Sequence, residues 1–278
     1  MRSPQFQLHA EIEDLHWWFV ARREIMRRMV EQIVPPSKDA TVVDVGCGTG
    51  ANLAALAESY NCVGIDTSPE AVRLAQQRFP AARFICGRAP DDLGDVLEQT
   101  RLVLLMDVLE HVPDDFELLS SLMAAAPVGT NFLITVPADL SLWSEHDESF
   151  GHYRRYDMAR FRQLWRQLPV TTLLASPFNA RLYPLIRAVR LKNRLRGKAS
   201  GEAGTDFQMP SPLVNRMITR CFAGEAVRLG NLLRRRGKPY RRGVSLMAIL
   251  RRDAGVLVPR TKPAYVLPDV HEPAASLA

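Results

Sequence analysis

The ten residues from Thr41 to Gly50, TVVDVGCGTG, constrain this chain more than any others. Their first half is β-branched and apolar, as a buried strand requires, and their second half breaks into glycines at 46, 48 and 50. Glycine tolerates the backbone of a tight strand-to-helix turn and lets a ligand lie against bare amides at the helix start. Sixteen residues after Gly50 the next apolar run ends in VGID, which puts Asp66 at the tip of a neighbouring strand. A carboxylate there can accept hydrogen bonds from both hydroxyls of a ribose. The two features together predict a pocket for a nucleoside-bearing cofactor.

GCGTGA also satisfies the dinucleotide pattern G-x-G-x-x-G/A, a weak signal by itself. Two observations point away from a dinucleotide. Asp44 lies two residues before the first glycine, where an acid repels a pyrophosphate but suits an ammonium and a sulfonium. A second block, LVLLMDVLEHVPDD, occupies residues 102–115.

With both blocks in view, the chain resembles the class I S-adenosylmethionine-dependent methyltransferases, firmly so from Asp39 to Pro137. VVDVGCGTG is the counterpart of their motif I and DVLEHVPDD of their fourth-strand block. The resemblance implies a Rossmann-like, seven-stranded, mostly parallel α/β sheet with helices on both faces, and S-adenosyl-L-methionine as cofactor. It sets Asp44, Gly46, Cys47, Gly48 and Gly50 around the methionine end, Asp66 and Thr67 at the ribose, and Met106, Asp107 and Val108 along the adenosine and sulfur. Thr67 and Ser68 also read as caps of a helix beginning at Pro69. Where the family usually has an acid facing adenine, this chain has Arg88, and that contact stays open.

On the acceptor side, Glu110 and His111 are followed by LWSEHDESFGHYRRY. A near-neutral imidazole can take a proton from a hydroxyl, so His111, His146 and Glu110 are the expected catalytic residues. Trp143, His152, Arg154 and Arg155 are expected to bind substrate, the arginines by clamping a phosphate or carboxylate. Asp107, Glu110 and His111 also look like the E-x-x-E-H metal pattern of some O-methyltransferases, with Asp replacing the first Glu; no metal is assigned. HWWF, GHYRRY and GVSLMAIL resemble bacterial methyltransferases of type 11 and 12 that act on small molecules.

Strand and helix periods alternate through residues 39–180, the expected cofactor-binding core. The expected elements are strands 41–45, 62–65, 83–86, 102–106, 131–136 and 170–175, with helices 52–59, 69–79, 115–125 and 157–167. Residues 1–38 form an N-terminal helical segment, read as one helix over 9–33 whose Trp17, Trp18, Phe19, Arg22 and Arg23 either cover the cofactor mouth or dock the helix. Residues 242–252 hold the last strand, antiparallel beside the sixth. About sixty residues, 181–241, intervene as a basic helical insertion or cap, with a second helix over 212–236. Residues 253–278, rich in proline and without periodicity, read as a disordered tail.

The net charge of +6 hides a polarity: residues 1–153 carry 11 Lys/Arg against 23 Asp/Glu, and residues 154–252 carry 23 against 4. Such a segment suits an anionic partner, and residues 181–198, with seven cations and no acid, are a candidate for peripheral contact with a membrane's inner face. Neither a signal-peptide core nor an eighteen-residue apolar run is visible, so a cytoplasmic location is expected. The four cysteines have no metal spacing and are expected as free buried thiols without disulfides. The expected reaction is methyl transfer to a small-molecule or lipid-linked acceptor, at oxygen. A nucleic-acid methyltransferase is disfavoured for want of a base-flipping motif, and a non-catalytic cofactor-binding protein is the other alternative.

Overall fold

The computed structural model describes residues 3–195 and 209–255. One seven-stranded sheet runs in the order β3-β2-β1-β4-β5-β7-β6. Strands β1 (Ser37–Val45), β2 (Tyr60–Asp66), β3 (Arg83–Cys86), β4 (Thr100–Met106) and β5 (Asn131–Pro137) are parallel. β7 (Ser245–Arg252) is antiparallel to both neighbours and separates β5 from β6 (Val170–Phe178). The chain reverses its direction of travel across the sheet between β1 and β4, so a crevice opens beyond the C-terminal ends of those two strands.

Strand periodicity divides the core into two layers. Val42, Leu102, Leu104 and Met106 face one layer, while Val43, Val45, Val103 and Leu105 face the other. The first layer is covered by α2 (Trp17–Ile33), which buries Ile25, Met26, Met29 and Val30, and by α9 (Pro212–Ala223) and α10 (Glu225–Leu233) through Phe222 and Leu229. The second is covered by α5 (Asp115–Ala125) and α7 (Met158–Gln163), with Phe116, Leu119, Phe161 and Trp165. A fully buried side chain of this size contributes roughly 1.5–3 kcal/mol of transfer free energy, so these contacts hold the helices to the sheet. The remaining helices are α1 (Ser3–Ile12), α3 (Ala51–Ala54), α4 (Pro69–Arg78), α6 (Glu145–Ser149) and α8 (Tyr183–Leu195).

The structure corrects several expected elements. The helix expected over 9–33 is two, because His16 caps α2 by accepting from the Trp18 amide, and Glu13, just before it, is drawn to the glycine loop. The helix expected over 52–59 shortens to α3, after which bonds such as Leu56 N–H to Leu53 C=O wind the chain into turns. That over 157–167 shortens to α7, capped by Asp157 as expected. The helix over 212–236 breaks at Gly224, where a Cβ would meet the Arg181 guanidinium at 2.6 Å. The break lets the buried Glu225 carboxylate accept from the Ala180 and Arg181 amides at 2.9 and 2.8 Å, ahead of α8. The insertion is therefore mainly a packing layer on α2, with α8 left at the crevice.

Cys47 and Cys62 are buried free thiols, but Cys86 is exposed and Cys221 half-buried. The tail beyond residue 255 and residues 196–198 of the basic stretch lie outside the described residues. No helix among the described residues is long and apolar enough to cross a membrane.

Candidate functional site

The crevice holds a cavity of about 440 Å³. Its floor is the glycine loop. Gly46, Gly48 and Gly50 have φ of +69°, +53° and +87°, so the loop runs through the left-handed region three times. A Cβ at Gly46 would strike the Val108 side chain at 2.8 Å, whereas one at Gly48 would enter open space. Gly48 is thus a bare stretch of backbone facing the cavity, and Val108 holds the loop from behind. Asp66 fastens the same loop: its Oδ2 accepts from Gly48 N–H and its Oδ1 from Ser68 N–H, each at 2.9 Å. Ser68 caps α4, and Thr67 is exposed beside it.

Beneath the loop, the Asp44 carboxylate is fully buried and neither oxygen has a hydrogen-bond partner. Burial raises its pKa to about 7, the Asp66 charge adds to this, and Arg22 opposes it. An unsatisfied buried acid is costly. An ammonium reaching this carboxylate would supply the missing partner, so the orphaned acid fits the methionine end of S-adenosylmethionine, although the cavity lining includes Gly46 to Thr49 and neither Asp44 nor Asp66.

At the end of β4, Asp107 adopts φ +60° and closes a buried network. It pairs with Arg22 at 2.7 Å and accepts from Thr135 Oγ1 at 3.0 Å, while Arg22 donates to Thr135 at 2.9 Å and lies 4.9 Å from the centre of the Trp18 ring. In the sequence Arg22 stands only among the residues of the N-terminal helix that either cover the cofactor mouth or dock the helix. Its spacing from Trp18, four residues on one helix, is the signal that both turn inward to the same place. Trp17, Trp18, Phe19 and Arg23 line the cavity with it. A latch holds this cover down: Glu13 accepts from Thr49 Oγ1 at 2.7 Å and from Arg78, which also pairs with Asp14 at 2.7 Å.

The cavity lining also gathers Glu110, His111, His146 and His152. Glu110 is fully buried with both oxygens unpartnered, and burial, reinforced by Asp107, pushes its pKa well up. His111 is held down to about 3, first by burial and then by His152, whose ring lies 4.6 Å away edge-on. An imidazole so hard to protonate is a poor proton acceptor. His152 is set differently, its Nδ1 2.9 Å from Asp147. One ligand atom each of Glu110, His111 and His152 lie within 4.8 Å of one another, a donor set that suits a divalent ion.

Arg154 and Arg155 are not free clamps. Arg154 is buried against Asp115 at 3.1 Å and the Pro113 carbonyl at 2.7 Å, and Arg155 against Asp147 at 2.8 Å and the Ala138 carbonyl at 3.0 Å. Arg154 ties the 144–156 segment to the start of α5, and Arg155 ties it to itself and to Ala138 just after β5. Trp143 donates to Glu148 at 3.2 Å and lies outside the cavity lining. Sequence reading missed Asn179, which lines the cavity fully buried with both side-chain amide atoms unpartnered. Its φ of +51° follows from its place at the β6 exit, and no local motif marks it.

A glycine loop over an orphaned acid, at the switch point of this sheet, defines a nucleoside-cofactor protein of the class I methyltransferase type. A methyltransferase domain family matches residues 18–196, and the chain belongs to that family, whose cofactor is S-adenosylmethionine. Among relatives, ajmaline N-methyltransferase of Rauvolfia serpentina is 32% identical over 38% of this chain and 40% of its own length. Trans-aconitate 2-methyltransferase of Variovorax paradoxus is 34% identical over 37% and 41%, and Arabidopsis thaliana tocopherol O-methyltransferase 34% over 34% and 29%. The chain thus matches less than half the length of these curated relatives. The fold is shared with the plantazolicin methyltransferase BamL, solved with SAH (TM-score 0.54, 15% identity, 90% of this chain and 91% of that one). It is shared equally with the [4+2]-cyclase SpnF (TM-score 0.53, 15% identity, 84% and 81%). The fold alone does not fix the reaction.

Proposed function

We propose that this protein transfers the methyl group of S-adenosylmethionine to an oxygen of a small, largely apolar acceptor. The observation that carries the reading is one cavity lined both by the glycine loop and by Glu110, His111, His146 and His152. Its walls, Trp17, Trp18, Phe19, Leu185, Ile186 and Val189, suit an apolar body, and its size is in the range of small-molecule sites. When bound, the cofactor supplies an already activated methyl group on a sulfonium. The chain's task is alignment, for which orientation is worth on the order of 7–11 kcal/mol.

In this reading Asp44 and the glycine loop hold the methionine end, Asp66 the ribose, and Met106 and Asp107 the side nearest sulfur. Glu110, neutral by burial, donates a hydrogen bond to a polar group of the acceptor, and Asn179 reads another. An oxygen acceptor is favoured over nitrogen because the His152 imidazole lines the cavity, and a hydroxyl must lose its proton where an amine offers a lone pair. Incubation with methyl-labelled S-adenosylmethionine and matched phenols and amines tests this. Labelled phenol ethers are expected; label in amines alone would reject the oxygen assignment.

A lipid-linked acceptor at an anionic membrane surface is the second reading. It is favoured by α8, where Leu185, Val189 and Leu191 are exposed beside Arg187 and Lys192, while Leu185 and Val189 also line the cavity. Co-sedimentation with phosphatidylglycerol vesicles, lost on Leu191→Glu, is its expected mark.

A further inference from the structure

We propose that His152 is the proton acceptor for the methyl-accepting hydroxyl and that Asp147 is its positioning residue, an assignment that rests on the oxygen transfer proposed above. Asp147 is buried in α6, at the third position of its first turn. Its Oδ1 lies 2.9 Å from His152 Nδ1 and 2.8 Å from Arg155 Nε, and its Oδ2 accepts from Arg155 Nη2 at 3.0 Å and from the Ser144 amide at 2.9 Å. Few side chains are fixed this completely. Burial alone would raise its pKa, but the bond from His152 and the charge of Arg155 win and hold the carboxyl below the usual range.

An ionised carboxylate only accepts hydrogen bonds, so the proton of the neutral imidazole must sit on Nδ1. That leaves the lone pair on Nε2. Asp147 does not line the cavity and His152 does, so Nε2 is the nitrogen available to an acceptor. The 144–156 segment is tied to the turn after β4 by the Tyr153 amide donating to the Glu110 carbonyl at 2.7 Å, which keeps the ring near Glu110. The neighbouring imidazoles are less suitable. His111 is too hard to protonate, and the His146 ring packs on Phe150 at 4.3 Å between centres.

As the oxygen–methyl bond forms and the sulfur–methyl bond breaks, His152 Nε2 takes the hydroxyl proton. The positive charge lost by sulfur appears on the imidazolium, next to the Asp147 carboxylate that stabilises it. Positioned bases of this kind contribute roughly 10²–10⁴-fold. Asp147→Asn presents an amide that can donate to Nδ1, which turns the ring to the Nε2–H tautomer and removes the lone pair, the loss described for buried Asp–His pairs in hydrolases.

Nitrogen-15 NMR of the full chain labelled at histidine, with calorimetry for S-adenosylmethionine as the check on folding, reads the tautomer without any acceptor. The Nδ1–H form is expected for His152 and its loss in Asp147→Asn; an Nε2–H form in the unmutated protein overturns the proposal. With catechol as the acceptor probe, Asp147→Asn and His152→Gln should each lower kcat about 100-fold or more at unchanged cofactor affinity, and added imidazole should partly restore His152→Ala. Full activity of His152→Gln, or activity abolished by chelation and restored by a divalent ion, overturns it, since Nε2 would then belong to an ion held with Glu110 and His111. Wild-type protein that labels amines only, while His152 shows the Nδ1–H form, rejects the oxygen reaction and not the Asp147–His152 geometry.

Discussion

The two ends of the cavity are built on opposite plans. In the proposed reading the cofactor end is made of neighbours in sequence: Asp44, Gly46, Cys47 and Gly48 fall within five consecutive positions, and Asp66, which fastens the loop, ends the next strand. The acceptor end draws Glu110 and His111 from the β4 exit, His146 and His152 from the loop after β5, Trp17 to Phe19 from α2, Asn179 from the β6 exit and Leu185 from α8. A ligand common to many proteins can be met by a short, backbone-dominated turn. A particular acceptor has to be met by side chains, and those come from wherever the fold brings the chain close. The names of the relatives include both N- and O-methyltransferases.

The contrast would fail most visibly at Asp44. Removing one partner of a buried charged pair costs about 2–5 kcal/mol, so Asp44→Asn should weaken S-adenosylmethionine binding by about 30-fold or more in calorimetry. The free protein should melt no lower, and higher at pH 8, because an ionised, unpartnered buried carboxylate has been removed. The sign follows from the raised pKa. With the group titrating at about 7 in the folded chain and near the ordinary carboxylate value unfolded, Asp44 is neutral in both states at low pH; native stability falls as pH rises from the unfolded value to about 7, and the full cost is in place above that. Cofactor affinity in the unmutated protein should therefore rise between pH 6 and 8, and that slope should flatten in Asp44→Asn. A slope that persists would locate the titrating group elsewhere.

Arg22 joins the two ends, and it marks where legibility in the sequence stops. The alternation of strand and helix periods and the glycine loop with an acid at the next strand tip are local and legible, while the seven-stranded sheet is what the family resemblance implies. Arg22 is an ordinary arginine in a helix with five other cations or acids around it, and nothing before folding says that it crosses to Asp107 and Thr135. The same holds in reverse for Arg154 and Arg155. In sequence they look like anion-binding residues, and in the fold their charges are already met by Asp115 and Asp147. Long-range pairing decides such residues, and a single sequence does not display it. Arg22→Met keeps the length and apolar stem but leaves Asp107 facing the cavity without its cation. A loss of about 2–4 kcal/mol in denaturant unfolding is expected, with weaker cofactor binding and a smaller loss in acceptor affinity. Equal loss at both ends would make Arg22 a general support and erase the distinction.

The smallest expected effect belongs to Asn179, and it separates the two plans most cleanly. Its side-chain amide is buried, unpartnered and on the cavity wall, at the edge of the sheet far in sequence from the glycine loop. If it meets a polar group of the acceptor, Asn179→Ala removes one neutral hydrogen bond, worth about 0.5–1.5 kcal/mol net, and raises the acceptor's KM roughly 3–10-fold. Cofactor affinity and kcat should not move, because the residue touches neither the methyl donor nor the transferred proton. The same substitution also removes two unsatisfied polar atoms from the free protein, so its melting temperature should hold or rise slightly. A residue retained only for packing would show the reverse, a lower melting temperature with KM unchanged.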